Sequence, residues 1–358
     1  MKSEIYMLCM ESMKQLDAMQ HSSLKVIAKR KIKSVLGRNV MPKDPVFWPA
    51  GAILLGLTEA VIAGDNKESG EEAKVLEYIN KYIGNWLNSR PSESVKNTDD
   101  ALAGYAMLKL YEYTEDELYK AAAEKIAAFI LNASVDNAGS IIYHPERGNS
   151  YIFADGAGMT AAFLAKYGEM FGNEKALNKA ALQINNFFNY GMDNGTGLPY
   201  HGYEYELKEK KGLVGWGRAI GWLMLGASEV FLNTTDDLLQ EKYSLLLQYI
   251  CDLQRDDGSF SWLPEAVEAH ADTSATAMIA YAAALLKDSP RLSEELRQSL
   301  TLLSEDAVLY VNSQIKDGRV GNALGECVDF AMHPQKYGVY PWGQGMALAL
   351  IAINEKKH

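Results

Sequence analysis

Residues 216–231 read WGRAIGWLMLGASEVF, and this stretch decides the fold because it has no polar face. At the period of a helix its apolar and small side chains cover the whole circumference, with Arg218 and Glu229 as its charged residues. A helix that is apolar all round is stable when other elements enclose it. The segment therefore predicts a buried helix, and its glycine and alanine residues allow neighbouring helices to approach closely.

Five further segments share this all-round apolar or small-residue character. They are residues 47–61, 99–111, 155–168, 272–286 and 342–353. Segments with one apolar and one charged face alternate with them along the chain. These amphipathic segments are residues 3–20, 71–87, 117–132, 174–190, 236–254 and 292–312. We expect capping boxes to start two of them, from Ser69 to Glu72 and from Thr114 to Glu117.

The alternation predicts an all-α fold, a six-hairpin (α/α)6 barrel in which an outer ring of six helices surrounds an inner ring of six. The buried segments recur roughly every 50 to 70 residues, which is the scale of one helical hairpin. A closed ring is favoured over an open solenoid, because an open array would leave one face of the inner helices in water. We expect a single domain over residues 1–358.

Composition places the chain among globular proteins and narrows its partners. The 358 residues are 48% hydrophobic and 23% charged, which excludes a disordered or fibrous chain. The formal net charge of -11 argues against nucleic acid and acidic membranes as partners, but a local arginine could still hold a small acidic substrate. The three cysteines are far apart, and the sequence shows neither a signal peptide nor a membrane span, so we expect a cytoplasmic protein.

The connections between helices predict where a functional site lies. Links from a buried helix to the next amphipathic helix are short, whereas four return links are long, at residues 133–154, 191–215, 255–271 and 313–341. In an up-and-down barrel these long links all lie at one end, together with the N-termini of the inner helices. Long loops on a rigid scaffold commonly carry function, and helix N-termini favour an anion. We therefore expect the site at this end.

The residues that this geometry brings to that end are acids, aromatic residues, one arginine and two histidines. They are Trp48, Asp99, Asp100, Asp155, His201, Trp216, Arg218, Trp222, His270, Asp272 and Trp342. Aromatic rings offer flat apolar surfaces on which a sugar ring can stack, and carboxyl groups transfer protons. The set is therefore typical of a carbohydrate pocket.

Several of these residues also have a purely structural interpretation. Asp155, Asp272 and one of Asp99 and Asp100 stand where helices begin, so they can be N-caps. Two carboxylates on adjacent inner helices can instead face each other, in which case one keeps a proton at neutral pH. Arg218 lies in a helix without a polar face, so it must meet an acid, either from the protein or from a substrate.

The sequence gives little support to other kinds of site. His201, Trp216 and Trp222 are compatible with structural positions as well as with a pocket. Residues 156–161 match a dinucleotide fingerprint, but the second strand of a βαβ unit is missing. There is no phosphate loop, no GxSxG or HExxH motif and no Cys/His cluster, so we predict neither a metal site nor a cofactor.

The chain resembles the unsaturated glucuronyl and rhamnogalacturonyl hydrolases of glycoside hydrolase families 88 and 105, with family 105 the closer match. The segments that carry the resemblance are FWPAGAILLGL, YIFADGAGMTAAFLAKYGEMFGN, TGLPYHGYEY, GWGRAIGW, the DTSATAMIAYA run and VYPWGQGMALALIA. They occur in the family's order and span most of residues 45–353. The ordered set, with HGY paired to WGRxxGW, is the specific feature.

This resemblance implies a six-hairpin barrel that acts, without a metal, on a 4,5-unsaturated uronic acid at the non-reducing end of an oligosaccharide made by a polysaccharide lyase. It also implies that an Asp protonates the C4=C5 bond and that water adds at C5. By position, Asp155 matches the main acid/base and Asp99 the second essential Asp, with Asp100 one residue away. The matches to the uronate pocket are His201, Trp216, Arg218 and Trp222, and the match to a stacking aromatic is Trp48.

The chain departs from the family pattern at two places, and three other hypotheses stay open. Ala219-Ile220 stands where Gly-Asn is usual, and the segment NTDDALAGY differs from the commoner form. A sugar epimerase would need basic histidines on inner helices, where His270 alone comes near. An inverting glycosidase would need two well-separated carboxyl groups. A non-catalytic barrel could bind an acidic glycan.

Overall fold

The computed structural model describes residues 1–20, 44–64, 70–89, 95–266, 268–328, 330 and 332–355. Within these residues the chain forms twelve α-helices and two short 3-10 turns. The helices are α1 (Ser3–Gln20), α2 (Trp48–Gly64), α3 (Gly70–Leu87), α4 (Ala101–Thr114), α5 (Glu117–Ile130), α6 (Ala154–Phe171), α7 (Glu174–Tyr190), α8 (Gly217–Asn233), α9 (Asp237–Asp252), α10 (Thr273–Ala284), α11 (Glu294–Ser313) and α12 (Pro341–Glu355). No helix in these ranges is both long and apolar enough to cross a membrane.

The even-numbered helices form a closed inner ring. Each packs against the next in the order α2, α4, α6, α8, α10, α12, and α12 packs against α2. The odd-numbered helices lie outside this ring, and α1 packs against both α12 and α2, so it covers the junction where the ring closes. The predicted all-α six-hairpin barrel is confirmed, while the assignment of residues 1–358 to a single domain stays a prediction.

Glycines allow the inner helices to pack closely at two contacts. A Cβ atom at Gly345 in α12 would lie 2.2 Å from the carbonyl oxygen of Ala52 in α2. A Cβ atom at Gly158 in α6 would lie 2.0 Å from the carbonyl oxygen of Trp222 in α8. Backbone atoms of a packed helix cannot yield as a flexible side chain can, so any larger residue would push these helices apart.

One of the two predicted capping boxes is wrong. Helix α4 continues through Thr114, whose hydroxyl donates to the carbonyl oxygen of Leu110 instead of opening the next helix. The N-cap of α5 is Asp116, whose carboxylate accepts a hydrogen bond from the N–H of Leu118. The other predicted box begins at Ser69, which lies outside the described residues.

Short strands occupy the long links that precede inner helices. They are β1 (Tyr151–Phe153), β2 (Tyr200–Glu204), β3 (Glu209–Val214), β4 (Ile315–Lys316), β5 (Arg319–Val320), β6 (Ala323–Leu324) and β7 (Tyr337–Gly338). Strands β1, β2 and β3 form one antiparallel sheet in that order, and β4–β5 and β6–β7 form two small hairpin-like pairs before α12. These links lie at the barrel end that holds the N-termini of the inner helices, which we call the mouth.

A buried charged network crosses the inner ring away from the mouth. Lys109 of α4 lies 2.7 Å from a carboxylate oxygen of Glu59 in α2, and Tyr281 of α10 donates to the same oxygen at 2.6 Å. Tyr105 of α4 donates to Glu229 of α8 at 2.5 Å. Burial by itself would lower the pKa of Lys109, but the two glutamates outweigh it and raise that pKa. The network therefore links four of the six inner helices through a charged lysine.

Candidate active site

Four of the predicted residues lie at the starts of inner helices or on the strand before one. Asp99 lies in the 3-10 turn Thr98–Asp100 before α4, and Asp155 lies in the first turn of α6. His201 lies on β2, and Arg218 lies in the first turn of α8. Residues far apart in sequence therefore share one end of the barrel.

Asp155 and His201 are in direct contact. Nε2 of His201 lies 3.2 Å from Oδ2 of Asp155. The pairing of β1 with β2 places them side by side, because Phe153 pairs with Gly202 in the antiparallel sheet. The side chain of His201 is 2% exposed and that of Asp155 is 16% exposed. A small ligand can therefore reach Asp155, while the imidazole behind it is shielded from water.

Aromatic rings fix the orientation of His201. Phe153 and Trp216 approach its ring edge to face, with centroids 5.1 and 4.5 Å away. Phe330 stacks flat on Phe153 at 4.1 Å. The carbonyl oxygen of Phe330 lies 3.5 Å from Nδ1 of His201. This packing keeps Nε2 directed at Asp155.

Asp99 is the second carboxyl group at the mouth, and its pKa is raised to about 7. Burial is the main cause, and the negative charges of Asp44 and Asp155 add to it. A hydrogen bond of 2.9 Å from the Tyr143 hydroxyl to Oδ2 of Asp99 acts in the opposite direction. Asp99 and Asp155 are thus close enough to interact electrostatically. Because its pKa is raised, Asp99 is the carboxyl group that retains a proton near neutral pH.

Asp100 is directed towards the loop that precedes it. Its Oδ2 accepts hydrogen bonds from the backbone N–H groups of Lys96 at 3.0 Å and Asn97 at 3.2 Å. Burial raises the pKa of Asp100 well above its usual value. This geometry favours Asp99 over Asp100 as the second carboxyl group of the site.

Arg218 is buried between two indole rings. Its guanidinium carbon lies 4.8 Å from the centroid of Trp216 and 5.3 Å from that of Trp342. Its N–H groups donate to the carbonyl oxygens of Leu324 and Gly325 at 2.5 and 3.0 Å. Among the described residues no carboxylate pairs with it, so of the two expected kinds of partner a protein acid is not found there, and a substrate acid stays a prediction. Carbonyl dipoles and indole faces stabilise the cation in the protein alone. Its charge remains available to an anionic ligand.

Trp216 has a buried indole N–H that finds no acceptor among the described residues. A buried donor without a partner costs about 1–3 kcal/mol. The ring contacts both His201 and the guanidinium of Arg218. A ligand with hydrogen-bond acceptors, placed between these two residues, could satisfy this N–H.

Trp48 and Trp222 lie in different surroundings. The half-buried ring of Trp48 lies 4.9 Å from Trp342, which stacks on Tyr340 at 4.8 Å. These three rings form an aromatic rim beside Arg218. Trp222 is fully buried in α8, and within the described ranges its ring has no aromatic or hydrogen-bond partner. A pocket role for Trp222 stays a prediction.

Asp272 and His270 connect two of the long links. Asp272 is the N-cap of α10 and accepts from the N–H of Ser274 at 2.9 Å, which confirms its capping role. The same oxygen accepts from the N–H of Leu324 at 2.9 Å. Nε2 of His270 lies 2.7 Å from Oδ1 of Asn322. These bonds hold the segment that provides the carbonyl groups around Arg218.

Four residues at the mouth carry no periodic signal in the sequence. They are Tyr143, Cys327, Phe330 and His333. The ring of His333 lies 4.6 Å from that of Trp216, and burial lowers the pKa of His333 to about 4. Burial, followed by the charge of Asp155, raises the pKa of the Cys327 thiol to about 12. All four come from the two long links before α6 and α12. The length of these links is the feature of the sequence that could have pointed to them as part of the site.

The described residues contain no group of three or more His, Cys, Asp or Glu side chains placed to hold a metal ion. Residues 156–161 do not form the phosphate-binding turn of a dinucleotide fold. Strand β1 leads into α6 but pairs antiparallel with β2, whereas a dinucleotide fingerprint requires parallel strands joined by the helix. Ala219 and Ile220, the departure from the family pattern, are buried in α8.

The sequence profile of Glycosyl Hydrolase Family 88 matches residues 8–356, almost the whole chain. The chain belongs to this family. It is therefore a glycosidase, and its substrate is an oligosaccharide. The resemblance seen in the ordered segments is confirmed.

This member of the family is also similar, in sequence or in fold, to known proteins. It is 24% identical over 326 residues to the unsaturated rhamnogalacturonyl hydrolase YesR of Bacillus subtilis (strain 168), covering 85% of this chain and 88% of YesR. Its fold is similar to a possible member of the GH105 family from Klebsiella pneumoniae subsp. pneumoniae MGH 78578, with a TM-score of 0.79, 17% identity, and 99% and 93% of the chains covered. It is also similar to the unsaturated glucuronyl hydrolase from Bacillus sp. GL1, with a TM-score of 0.70, 16% identity and 86% of each chain covered.

Proposed function

We propose that the protein removes a 4,5-unsaturated uronic acid from the non-reducing end of an oligosaccharide, by hydrating the C4=C5 double bond. The observation that carries the proposal is the contact between Asp155 and His201, with Trp216 joining His201 to the buried cation of Arg218. The two named relatives act on unsaturated rhamnogalacturonyl and glucuronyl substrates, by their names, which supports the same substrate class here.

The proposed reaction needs a proton donor and a site that accepts an anion. A proton is added to C4 of the C4=C5 enol ether, so positive charge develops at C5 and the ring oxygen. Water adds at C5 and gives its proton to a carboxylate, which restores the acid. The C5 hemiketal then opens to a ketone next to the carboxylate, and the hemiacetal left at C1 releases the remaining sugar as an alcohol.

We assign proton delivery to Asp155 and a supporting role to Asp99. Asp155 is the partly exposed carboxyl group of the pair, and Nε2 of His201 lies 3.2 Å from its Oδ2 on the buried side. Asp99, whose pKa is raised to about 7, brings one proton to the pair at neutral pH, and this proton passes to Asp155 before Asp155 donates it to C4. The two carboxyl groups can then serve as acid and base in successive steps.

Arg218 and Trp216 supply recognition of the uronate. A planar guanidinium has five N–H donors, and Arg218 uses two of its nitrogen atoms on Leu324 and Gly325. Its charge has no carboxylate partner within the described residues, so a substrate carboxylate would complete the pair. The unpartnered N–H of Trp216 is a second donor for the same group.

Turnover of lyase-generated disaccharides tests this proposal. We expect the purified protein to abolish the ultraviolet absorbance of an unsaturated rhamnogalacturonyl or glucuronyl disaccharide and to release an α-keto acid. Matched disaccharides with a saturated uronate should not be cleaved. Cleavage of the saturated substrates instead would favour an inverting glycosidase. Binding of the unsaturated disaccharides without turnover would favour a non-catalytic barrel.

Substitution of Asp155 tests the assigned role. We expect Asp155→Asn to lower kcat by about 100- to 10,000-fold, the range of general acid–base catalysis, because the amide cannot donate the proton. Asp256→Asn removes an exposed carboxylate from the link before α10 and serves as the control. Equal rates for Asp155→Asn and the wild type would contradict the assignment.

A further inference from the structure

The hydroxyl group of Tyr143 contacts the second carboxyl group of the site, and it has no role in the proposed reaction. It donates to Oδ2 of Asp99 at 2.9 Å, and among the residues that the structure describes it has no other hydrogen-bond partner. The other oxygen of Asp99, Oδ1, is buried and accepts no hydrogen bond within the same ranges. Tyr143 therefore makes the two oxygens of this carboxyl group unequal.

Backbone and ring contacts hold Tyr143 in this place. Its N–H donates to the carbonyl oxygen of Tyr151 at 3.1 Å, which ties the link before α6 to β1. Its ring lies 4.9 Å from that of Phe153. A Cβ atom at Gly156 would lie 2.5 Å from Cδ2 of Tyr143, so the ring packs directly on the first turn of α6. The residue after Asp155 thus has to be glycine, because a side chain there would push against the tyrosine ring.

The direction of this hydrogen bond places the acid proton of Asp99 on Oδ1. A phenol hydroxyl has one hydrogen, and burial with the charges of Asp99 and Asp155 keeps it on Tyr143 by raising the pKa of that hydroxyl well above its usual value. Since Oδ2 accepts this hydrogen, a protonated Asp99 carries its own hydrogen on Oδ1. When Asp99 loses that proton, the bond from Tyr143 is made to a full charge and becomes stronger.

The carboxyl groups around Asp99 oppose the release of its proton. Burial is the main cause of its raised pKa, and the negative charges of Asp44 and Asp155 add to it. Asp100, the next residue, is turned towards the loop before it. The hydrogen bond from Tyr143 acts in the opposite direction and lowers the pKa of Asp99. It therefore helps Asp99 to give up its proton.

We propose that Tyr143 is a positioning residue: its hydroxyl holds Oδ2 of Asp99, so that Oδ1 is the atom that carries the proton and passes it to Asp155. Its consequence for catalysis rests on the proposed function. When Oδ1 gives up its proton, Asp99 becomes a carboxylate and Asp155 becomes the acid, while the bond from Tyr143 stabilises the new charge. Tyr143 acts through Asp99 and not by contact with the reacting atoms.

Carboxyl NMR of the substrate-free protein tests the direction of the bond. Protein labelled with 13C in its Asp carboxyl groups is titrated, and the Asp99 signal is assigned by its loss in Asp99→Asn. We expect Tyr143→Phe to raise the midpoint of Asp99 by about one pH unit, because it removes a donor to the ionised form. A lowered midpoint would mean that Tyr143 accepts the acid proton, and an unchanged one that the bond has no influence. Either result would overturn the proposal.

Tyr119→Phe is the matched control, because it removes a hydroxyl that donates to the neutral side chain of Asn80 between the outer helices α5 and α3. It should leave the midpoint of Asp99 in place, and an equal rise in this control would count against the proposal. The wild type provides a test that needs no variant to fold. With 13C at Cζ of the tyrosines, one signal should shift with the Asp99 transition and stay that of a phenol. Absence of such a signal would contradict the bond.

Kinetics connect the place of the proton with catalysis. On an unsaturated disaccharide we expect Tyr143→Phe to lower kcat by about 10- to 100-fold with little change in KM, because Asp99 gives up its proton less readily while the ring stays in place. The fall of kcat/KM at high pH should move up by the interval that NMR gives for Asp99. A moved midpoint with an unmoved kinetic profile would overturn the catalytic role of Tyr143.

The NMR and kinetic experiments also separate this proposal from the proposed function. If the wild type turns over no unsaturated disaccharide, the proposed function fails. The NMR titration then still decides whether Tyr143 donates to Asp99 and fixes its proton on Oδ1.

Discussion

The sequence shows that the charge of Arg218 needs compensation, but it does not show which groups provide it. A buried guanidinium must be compensated, and the apolar helix around it indicates that the compensation comes from elsewhere. The structure supplies it from the carbonyl groups of Leu324 and Gly325, about 100 residues away in the chain, and from two indole rings. These partners accept from two of its nitrogen atoms and leave the charge and, within the described residues, the other N–H groups free to bind an anion.

We expect Arg218→Lys to raise KM for an unsaturated disaccharide by about 10- to 100-fold, with a smaller effect on kcat. An ammonium group lacks the planar fork that bonds two carbonyl oxygens and a carboxylate at once. Steady-state kinetics provide the measurement. Arg291 is a matched control, since it also donates to carbonyl oxygens and lies 4.5 Å from the ring of Phe231, away from the mouth. Similar KM values for Arg218→Lys and Arg291→Lys would count against uronate binding by Arg218.

The raised pKa of Asp99 should make the free energy of unfolding fall as the pH rises. Its pKa is about 7 in the folded protein and about 3.9 in an unfolded chain, so the folded state binds the proton more tightly. The stabilisation is complete below pH 4 or so and is lost as the pH rises through about 7. We expect Asp99→Asn to be more stable than the wild type at pH 8 and to lose most of this advantage at pH 4, a difference on the order of a few kcal/mol.

Thermal melting at several pH values checks this prediction. The pKa of Asp193 is lowered by hydrogen bonds from Thr196, so Asp193→Asn should instead lose stability at pH 8. This control has the opposite sign because its folded state favours the ionised form. A difference between Asp99→Asn and the wild type that is the same at every pH would contradict the raised pKa of Asp99.

At the scale of elements, hydrophobic periodicity predicts the helices correctly. The inner helices α8, α10 and α12 are buried along almost their whole length, as their lack of a polar face indicates. The boundary between α4 and α5 was less predictable, because Thr114 and Asp116 are both suitable caps and backbone hydrogen bonding decides between them. The strands are short and lie in the links, where β-like runs such as LPYHGYEYEL indicate them without fixing their bounds.

Glycines at helix contacts provide an element-scale prediction. We expect Gly345→Ala to destabilise the protein by about 1–3 kcal/mol, because the new Cβ would lie 2.2 Å from the carbonyl oxygen of Ala52. Gly84→Ala, in the outer helix α3, meets nothing within 4 Å and should stabilise the protein by about 0.5–1 kcal/mol. Urea unfolding measures both. Loss of stability in both variants would show that the helix contact is not the cause.

At the scale of the molecule, the network of Glu59, Lys109 and Glu229 ties helices across the barrel. We expect Lys109→Met to cost about 3–5 kcal/mol, because it leaves buried carboxylates without their cation. Adding Glu59→Gln to Lys109→Met should recover part of this loss.

Chemical denaturation measures the variants of this network. Lys2→Met is the control, because Lys2 pairs with Glu355 at the surface, where a salt bridge contributes at most about 1 kcal/mol. If Lys109→Met cost no more than Lys2→Met, the buried network would not be a source of stability.

The sequence by itself determined the ring of six helical hairpins, the end of the barrel that carries the site, and the residue types found there. These follow from local rules, because hydrophobic periodicity, glycine content and loop length are properties of short segments. Only the tertiary structure decided that Asp100 bonds to the loop before it while Asp99 accepts from Tyr143, that carbonyl groups surround Arg218, and that Tyr143, Phe330 and His333 complete the mouth. Those outcomes depend on distances between segments separated by many residues, which are fixed when the ring closes.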